Sequence, residues 1–443
     1  MSVFDELTGQ ERVVAELRGA AAAAAALLPE VGGAVRSGRG TAESPGTAES
    51  RGTRAAESRE TRAATSPGTR AAESPGTSAA RSPGTRAAMT HAWLFTGPPG
   101  SGRSVAARAF AAALLCPDQG CGSCPSCHQV QAGSHADLML VQPEGLSYGV
   151  RQTRGLVLRA ATAPAGGRWH VVLFEDADRA TEAAANALLK AIEEPAPRTV
   201  WLLCAPSAED LVPTVRSRCR LITLRTPSAA AVAELLSQRD GVAPDQALTA
   251  ALAAQGHIGR ARRLATDPQA ARRREEVLRI PSAVTSLGAA LNAAAALVKT
   301  AEEEARAVTG ERDEPERDAL RQAFGEGSTG KGVAKAVRGA AGALKDLEDR
   351  QKSRATRTKR DTLEVALLDL AWFYRDLLAV QLGARVELGN AGRAGELRRL
   401  AAASTPESTV RRIEAIMACR ERLALNVAPL LAVEEMTLAL LSG

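Results

Sequence analysis

The run Gly97-Pro98-Pro99-Gly100-Ser101-Gly102-Arg103-Ser104 has the residue types and spacing to hold a phosphate. Glycines at 97, 100 and 102 let backbone N–H groups turn onto phosphate oxygens, and Ser104 stands where a hydroxyl would hold Mg²⁺. Arg103 occupies the place of the usual lysine. It offers a planar fork where a compact ammonium would reach the β- and γ-phosphates. A second acidic stretch, Glu175-Asp176-Ala177-Asp178, closes the apolar run from Trp169. A hydrolytic site needs an aspartate for Mg²⁺ and then a glutamate to polarise water. Here Glu175 precedes Asp176, so each carboxylate sits one methylene from its expected place. The loop leaves ATP and Mg²⁺ binding open, and hydrolysis is not expected.

Four cysteines form a separate constellation, Cys116-(x4)-Cys121-x2-Cys124-x2-Cys127, in a Gly/Pro/Ser-rich knuckle. Four thiolates at short spacing suit a closed tetrahedral site, and soft ligands with no open position point to structural zinc. His128 is adjacent, but the four sulfurs already satisfy a metal. Cys204, Cys219 and Cys419 read as buried thiols.

Alternating apolar runs must position these groups. Strands are expected at His91–Thr96, Asp137–Val141, Trp169–Phe174, Val200–Cys204 and Arg220–Leu224. Helices are expected from about Gln10, from the glycine loop to Leu115, and at Val150–Ala163, Glu182–Glu194 and Ala208–Arg216. This predicts a parallel sheet flanked by helices, with the acidic run at a strand C-terminus where open α/β sheets bind ligands. Residues 29–88 repeat Ala-Glu-Ser-Pro-Gly-Thr-Arg imperfectly and carry almost no apolar residue larger than alanine. They read as a disordered insert; interspersed glutamates weigh against a basic DNA arm. Beyond 284 the chain reads as helical, with amphipathic stretches near Leu363–Leu382 and Glu407–Leu425 and a short helix to Leu441. A charged interruption at 302–360 reads as exposed helix and loop with a Gly-rich hinge at 325–332. Its basic end, Arg350–Arg360, is a secondary candidate for DNA contact.

At 443 residues the chain has room for two or three domains, and its 3% aromatic content leaves alanine, leucine and valine to fill the cores. The formal charge of +6 argues only weakly for nucleic acid. With no run of 18 apolar residues and no basic-then-apolar N-terminus, a cytoplasmic protein without membrane contact is expected.

The order Thr8-Gly9-Gln10, glycine loop, four cysteines, Asn186-Ala-Leu-Leu-Lys190 and Ser217-Arg218-Cys219 resembles the AAA+ clamp-loader subunits of bacterial DNA polymerase III, of the delta-prime type. The shared features cover about half the chain. The resemblance implies an α/β AAA+ P-loop domain with a parallel sheet at 1–226, a small helical lid at 227–283 and an all-α collar at 284–443 that joins subunits. It also implies that Arg218 projects across a subunit boundary towards a neighbour's ATP; on spacing alone it is a surface charge. Ala205-Pro206-Ser207 departs from the threonine-rich sensor of hydrolytic relatives. Gly256-His257-Ile258-Gly259 departs from their Gly-x-x-Arg, with arginine displaced to Arg260. The implied function is a non-hydrolysing ring member acting with other clamp-loader subunits, a sliding clamp and primed DNA. The contrasting readings are a catalytically active AAA+ ATPase and a zinc-containing nucleic-acid module.

Overall fold

The computed structural model describes residues 2–28, 89–143, 145–166, 168–323 and 333–443. The expected insert at 29–88 and the Gly-rich hinge lie outside the described residues. Five strands, β1 (Ala92–Thr96), β2 (Leu138–Val141), β3 (His170–Phe174), β4 (Thr199–Ala205) and β5 (Arg220–Thr223), form one parallel sheet in the order β2-β3-β4-β1-β5. Strands β1, β3 and β4 are buried at every residue, which their unbroken apolar runs require of a sheet covered on both faces. Alternate residues feed two cores. Val171, Leu173 and Leu202 pack with Leu17 of α1 (Glu11–Ala26) and Phe110 of α2 (Arg103–Leu115). Val172, Phe174, Trp201 and Leu203 pack with Leu156 of α4 (Val150–Ala160) and with Leu188 and Ile192 of α5 (Glu182–Glu193). Helix α3 (Pro125–Ala132) begins within the cysteine knuckle and runs five residues past Cys127.

Of the helix expected over Ala208–Arg216, only α6 (Pro213–Arg216) forms. Upstream, the Asp210 carboxylate accepts from the Ser207 N–H at 2.9 Å, a local turn that competes with helix, and Pro213 then starts the helix at its first position. Helices α7 (Ala229–Asp240), α8 (Pro244–Ala254) and α9 (Ile258–Thr266) share a small core of Val232, Leu236, Ala247, Ala251 and Ala261. A larger helical core begins at Val277, in α10 (Pro268–Val277), and continues past α11 (Ile280–Ala283). It gathers Leu363, Leu367, Phe373 and Leu377 with Leu397 of α14 (Ala394–Ala403), Ile416 of α15 (Pro406–Ala424) and Met436 of α16 (Pro429–Ser442).

On either side of the undescribed residues, the charged stretch is helical. Helix α12 (Leu287–Ala323) runs through its acidic half, and α13 (Val333–Gln381) runs through its basic half into the stretch expected at Leu363–Leu382. The two helices pair charge against charge. Arg354 reaches Glu316 at 2.6 Å, Lys359 reaches Glu302 at 2.7 Å, and buried Gln351 accepts from Arg317 Nε at 2.7 Å. Of the basic end that was a secondary candidate for DNA contact, Arg354, Arg357 and Lys359 are turned towards acidic partners of the same chain.

Candidate functional site: a glycine loop, an acidic strand end and a four-thiol cluster

The glycine loop leaves the C-terminal end of β1 and enters α2 with Gly102 as N-cap. Its glycines are required. A Cβ at Gly97 would lie 2.5 Å from Ser101 Oγ and 2.6 Å from the Leu224 carbonyl oxygen. A Cβ at Gly100, whose φ is +89°, would lie 2.6 Å from His257 Cβ and 2.7 Å from His257 Cα. The segment before α9 therefore touches the loop backbone. Burial, and then the charges of Arg260 and Arg103, hold His257 below its ordinary pKa. A cleft of about 340 Å³ remains between the loop, Thr8 and Gln10, and Arg239, His257 and Arg262, at the small end of the ~300–1,000 Å³ usual for ligand sites.

Arg103, Glu175 and Asp176 are committed internally, whereas Asp178 Oδ1 is buried without a hydrogen-bond partner among the described residues. Arg103 donates from Nη1 to the carbonyl of Gly97, closing its own loop. At the end of β3, Glu175 takes Arg108 of α2 at 3.3 Å on one oxygen and Gln142 Nε2 at 2.8 Å on the other. Asp176, with φ +48°, takes Arg357 Nη2 of α13 at 2.8 Å. Buried Tyr148 donates to the Glu175 carbonyl at 2.6 Å and fixes the turn between them. Pro206, after β4, accepts from the Gly97 N–H at 3.1 Å, tying the altered sensor stretch to the loop. Arg260 turns from the cleft to Asp369 of α13, which also takes Arg274 at 2.9 Å. Gly259, in contrast, lines the cleft. Ser104 lines it in the first turn of α2. Arg108, Gln142, Tyr148 and Arg357 were not found by sequence reasoning. Arg108 had a faint signal, four residues beyond Ser104 on one helix; Arg357 had none.

Arg218 follows α6 at the surface. Its guanidinium pairs with Glu193 at the end of α5 and donates to the Thr214 carbonyl at 2.8 Å, with the side chain 38% exposed. It does not enter the cleft of its own chain.

The four cysteines behave differently. Cys116 ends α2, Cys124 caps α3 and Cys127 lies in its first turn, so two helix ends bring the thiols together. All four Sγ atoms lie within 4.8 Å of one another, and none is in a disulfide. Cys116 Sγ is 3.8 Å from Cys121 Sγ and 3.6 Å from Cys124 Sγ. A tetrahedron with Zn–S bonds of about 2.3 Å has edges of about 3.8 Å, so the donor set fits that ion. Hydrogen bonds, first from the Ser123 backbone, bring Cys121 down to about 6, while burial pushes Cys127 up. The Val3 N–H donates to the Gly120 carbonyl at 3.1 Å, so the cluster is braced against the N-terminal segment.

Strand order, the glycine loop after β1 and the acidic end of β3 define an α/β P-loop domain of AAA+ type, followed by a helical C-terminal part. Residues 82–228 match the family model described as "DNA polymerase III, delta subunit". The chain is 41% identical over 173 residues to DNA polymerase III subunit delta' of Pseudomonas aeruginosa, covering 38% of this chain and 52% of that protein. It is 39% identical over 164 residues to the delta' subunit of Haemophilus influenzae, covering 36% and 50%. To subunit gamma/tau of Mycobacterium tuberculosis it is 34% identical over 171 residues, covering 36% and 29%. The chain thus spans about half the length of the delta' subunits it matches, and over that span it is similar to the delta' and gamma/tau subunits of DNA polymerase III. Among the described residues, no helix is long and apolar enough to cross a membrane.

Proposed function

We propose that the chain is a delta-prime subunit of a DNA polymerase III clamp loader, a ring member that hydrolyses no ATP itself. It acts in the cytoplasm with other clamp-loader subunits to place a sliding clamp on primed DNA. In this reading residues 1–226 form the nucleotide-binding-type domain, 227–283 the lid and 284–443 the collar that packs against neighbouring subunits. One observation carries it: in a domain similar to delta' subunits, Arg103, Glu175 and Asp176 are each bound by groups of the same chain. A hydrolytic site keeps such groups free for phosphate, water and Mg²⁺.

The cysteine cluster holds zinc in this account. The ion would supply a rigid crosslink between the end of α2 and the start of α3, and Cys116, Cys121, Cys124 and Cys127 would be its ligands. Arg218 acts in trans. Its surface position and its exposed pairing with Glu193 support that role, because such a pair costs little to exchange for a neighbour's γ-phosphate. Arginine fingers contribute on the order of 10³–10⁵ in rate at the site they complete. The test compares reconstituted complexes carrying wild-type chain or Arg218→Ala at equal assembly. DNA-stimulated hydrolysis and clamp loading are expected to fall in part, because only one ring site is affected, and Arg218→Lys is expected to restore neither fully. Unchanged hydrolysis and loading in the Ala complex would make Arg218 a plain surface charge.

A further inference from the structure

The acidic end of β3 is contacted by a residue 181 positions away. Helix α13 passes over the β2 and β3 ends, and Arg357 spreads its guanidinium across three partners. Nη1 donates to the Pro143 carbonyl, Nη2 meets Asp176 Oδ2 at 2.8 Å, and Nε faces Asp361 Oδ2 at 3.5 Å. Arg179 closes the circuit, 3.8 Å from Asp176 and 3.6 Å from Asp361. Two arginines and two aspartates therefore alternate in one ring of zero net charge. It joins the loop after β2, the turn after β3 and the middle of α13. Ser353, one turn before Arg357, packs beside Gly145 of the same loop. Asp176 adopts a left-handed backbone with φ +48°, which aspartate tolerates better than most residues.

We propose that Arg357 is a built-in cation for this strand end, locking the helical part of the chain onto the sheet at the place where a hydrolytic relative would need a carboxylate free to polarise water. A guanidinium suits the task because its fork satisfies a carbonyl and a carboxylate at once and cannot be titrated away. The lock holds the turn after β3 in register with α13, so the two halves move as one body. It also removes Asp176 as a free ligand.

The test uses the full chain alone, as wild type, Arg357→Gln, Asp176→Asn and the double variant. Hydrogen exchange is read at 145–148 and 176–181, with α3 as a remote reference. Each single variant is expected to raise exchange in both segments about 3–10-fold, with α3 unchanged. The double variant is expected to fall short of the sum of the two singles, because both remove the shared Arg357–Asp176 pair. Arg357→Lys, which keeps the charge and loses the fork, should fall between and remains informative should Arg357→Gln fail to fold. Wild-type exchange in Arg357→Gln or Arg357→Lys, or effects of the two single variants that simply sum in the double, would overturn the lock.

Discussion

The four-thiol cluster and the glycine-loop region lie at opposite ends of one helix, α2, and treat their polar groups in opposite ways. At the C-terminal end of α2, four sulfurs converge at metal-site spacing, with donors aimed at one another and no cation among them. At its N-terminal end, Arg103 is bound to its own loop, and Arg108 within the same helix holds Glu175. Buried polar groups need partners. Soft donors gathered at one point suit a metal, whereas charged groups satisfied by one another have exchanged ligand chemistry for rigidity. The contrast separates two motifs that look equally functional in the sequence.

The largest effect that would break this comparison is expected from removing the metal proposed for the four cysteines. Chelation, or Cys127→Ser, is expected to lower stability by on the order of 4–5 kcal/mol, because the site crosslinks two helix ends and touches the main core. Elemental analysis of protein purified without added metal should find about one zinc per chain, and thermal melts should drop on chelation. Zinc near zero, or a melt indifferent to chelator, would remove one side of the contrast.

A smaller effect is expected at the other end. Gly100→Ala should destabilise the unliganded chain by about 1–3 kcal/mol, because its positive φ and the contact with His257 both resist a Cβ. Urea unfolding measures it. A near-neutral variant would mean that the segment before α9 does not rest on the loop in solution.

The smallest effect concerns the α12–α13 hairpin. The Arg354 hydrogen bond, ahead of other causes, brings Glu316 from 4.5 down to about 2. A depressed carboxylate contributes stability that is fully present above its unfolded value and lost as pH falls through its folded value. The hairpin should therefore loosen as pH falls from about 4.5 to about 2, read by hydrogen exchange across α12. In Glu316→Gln that pH dependence should shrink; the same profile in the variant would assign the loosening elsewhere.

The parts legible in the sequence are those built from near neighbours. Strand β1, the glycine loop and α2 are contiguous, and the cysteines fall within twelve residues, so apolar runs and spacing were enough. The parts that were not legible depend on distant pairing. Charged residues from 302 to 360 read as solvent-facing because an unpaired charge belongs in water. Glu302, Glu316, Arg354 and Lys359 instead satisfy one another across a hairpin that no local pattern announces. Similarly, Glu175 and Asp176 displayed their altered order in the sequence, but their neutralisation by Arg108 and Arg357 appeared only once the chain was folded.

Steady-state ATP hydrolysis by the isolated full chain, with Mg²⁺ present, tests the central claim most directly. The account predicts turnover indistinguishable from background, in wild type and in Arg103→Lys alike, because restoring the lysine leaves both β3-end carboxylates engaged. Steady turnover by the wild-type chain that disappears in Asp176→Asn would contradict it, showing a catalytic carboxylate where the structure places an internal ion pair.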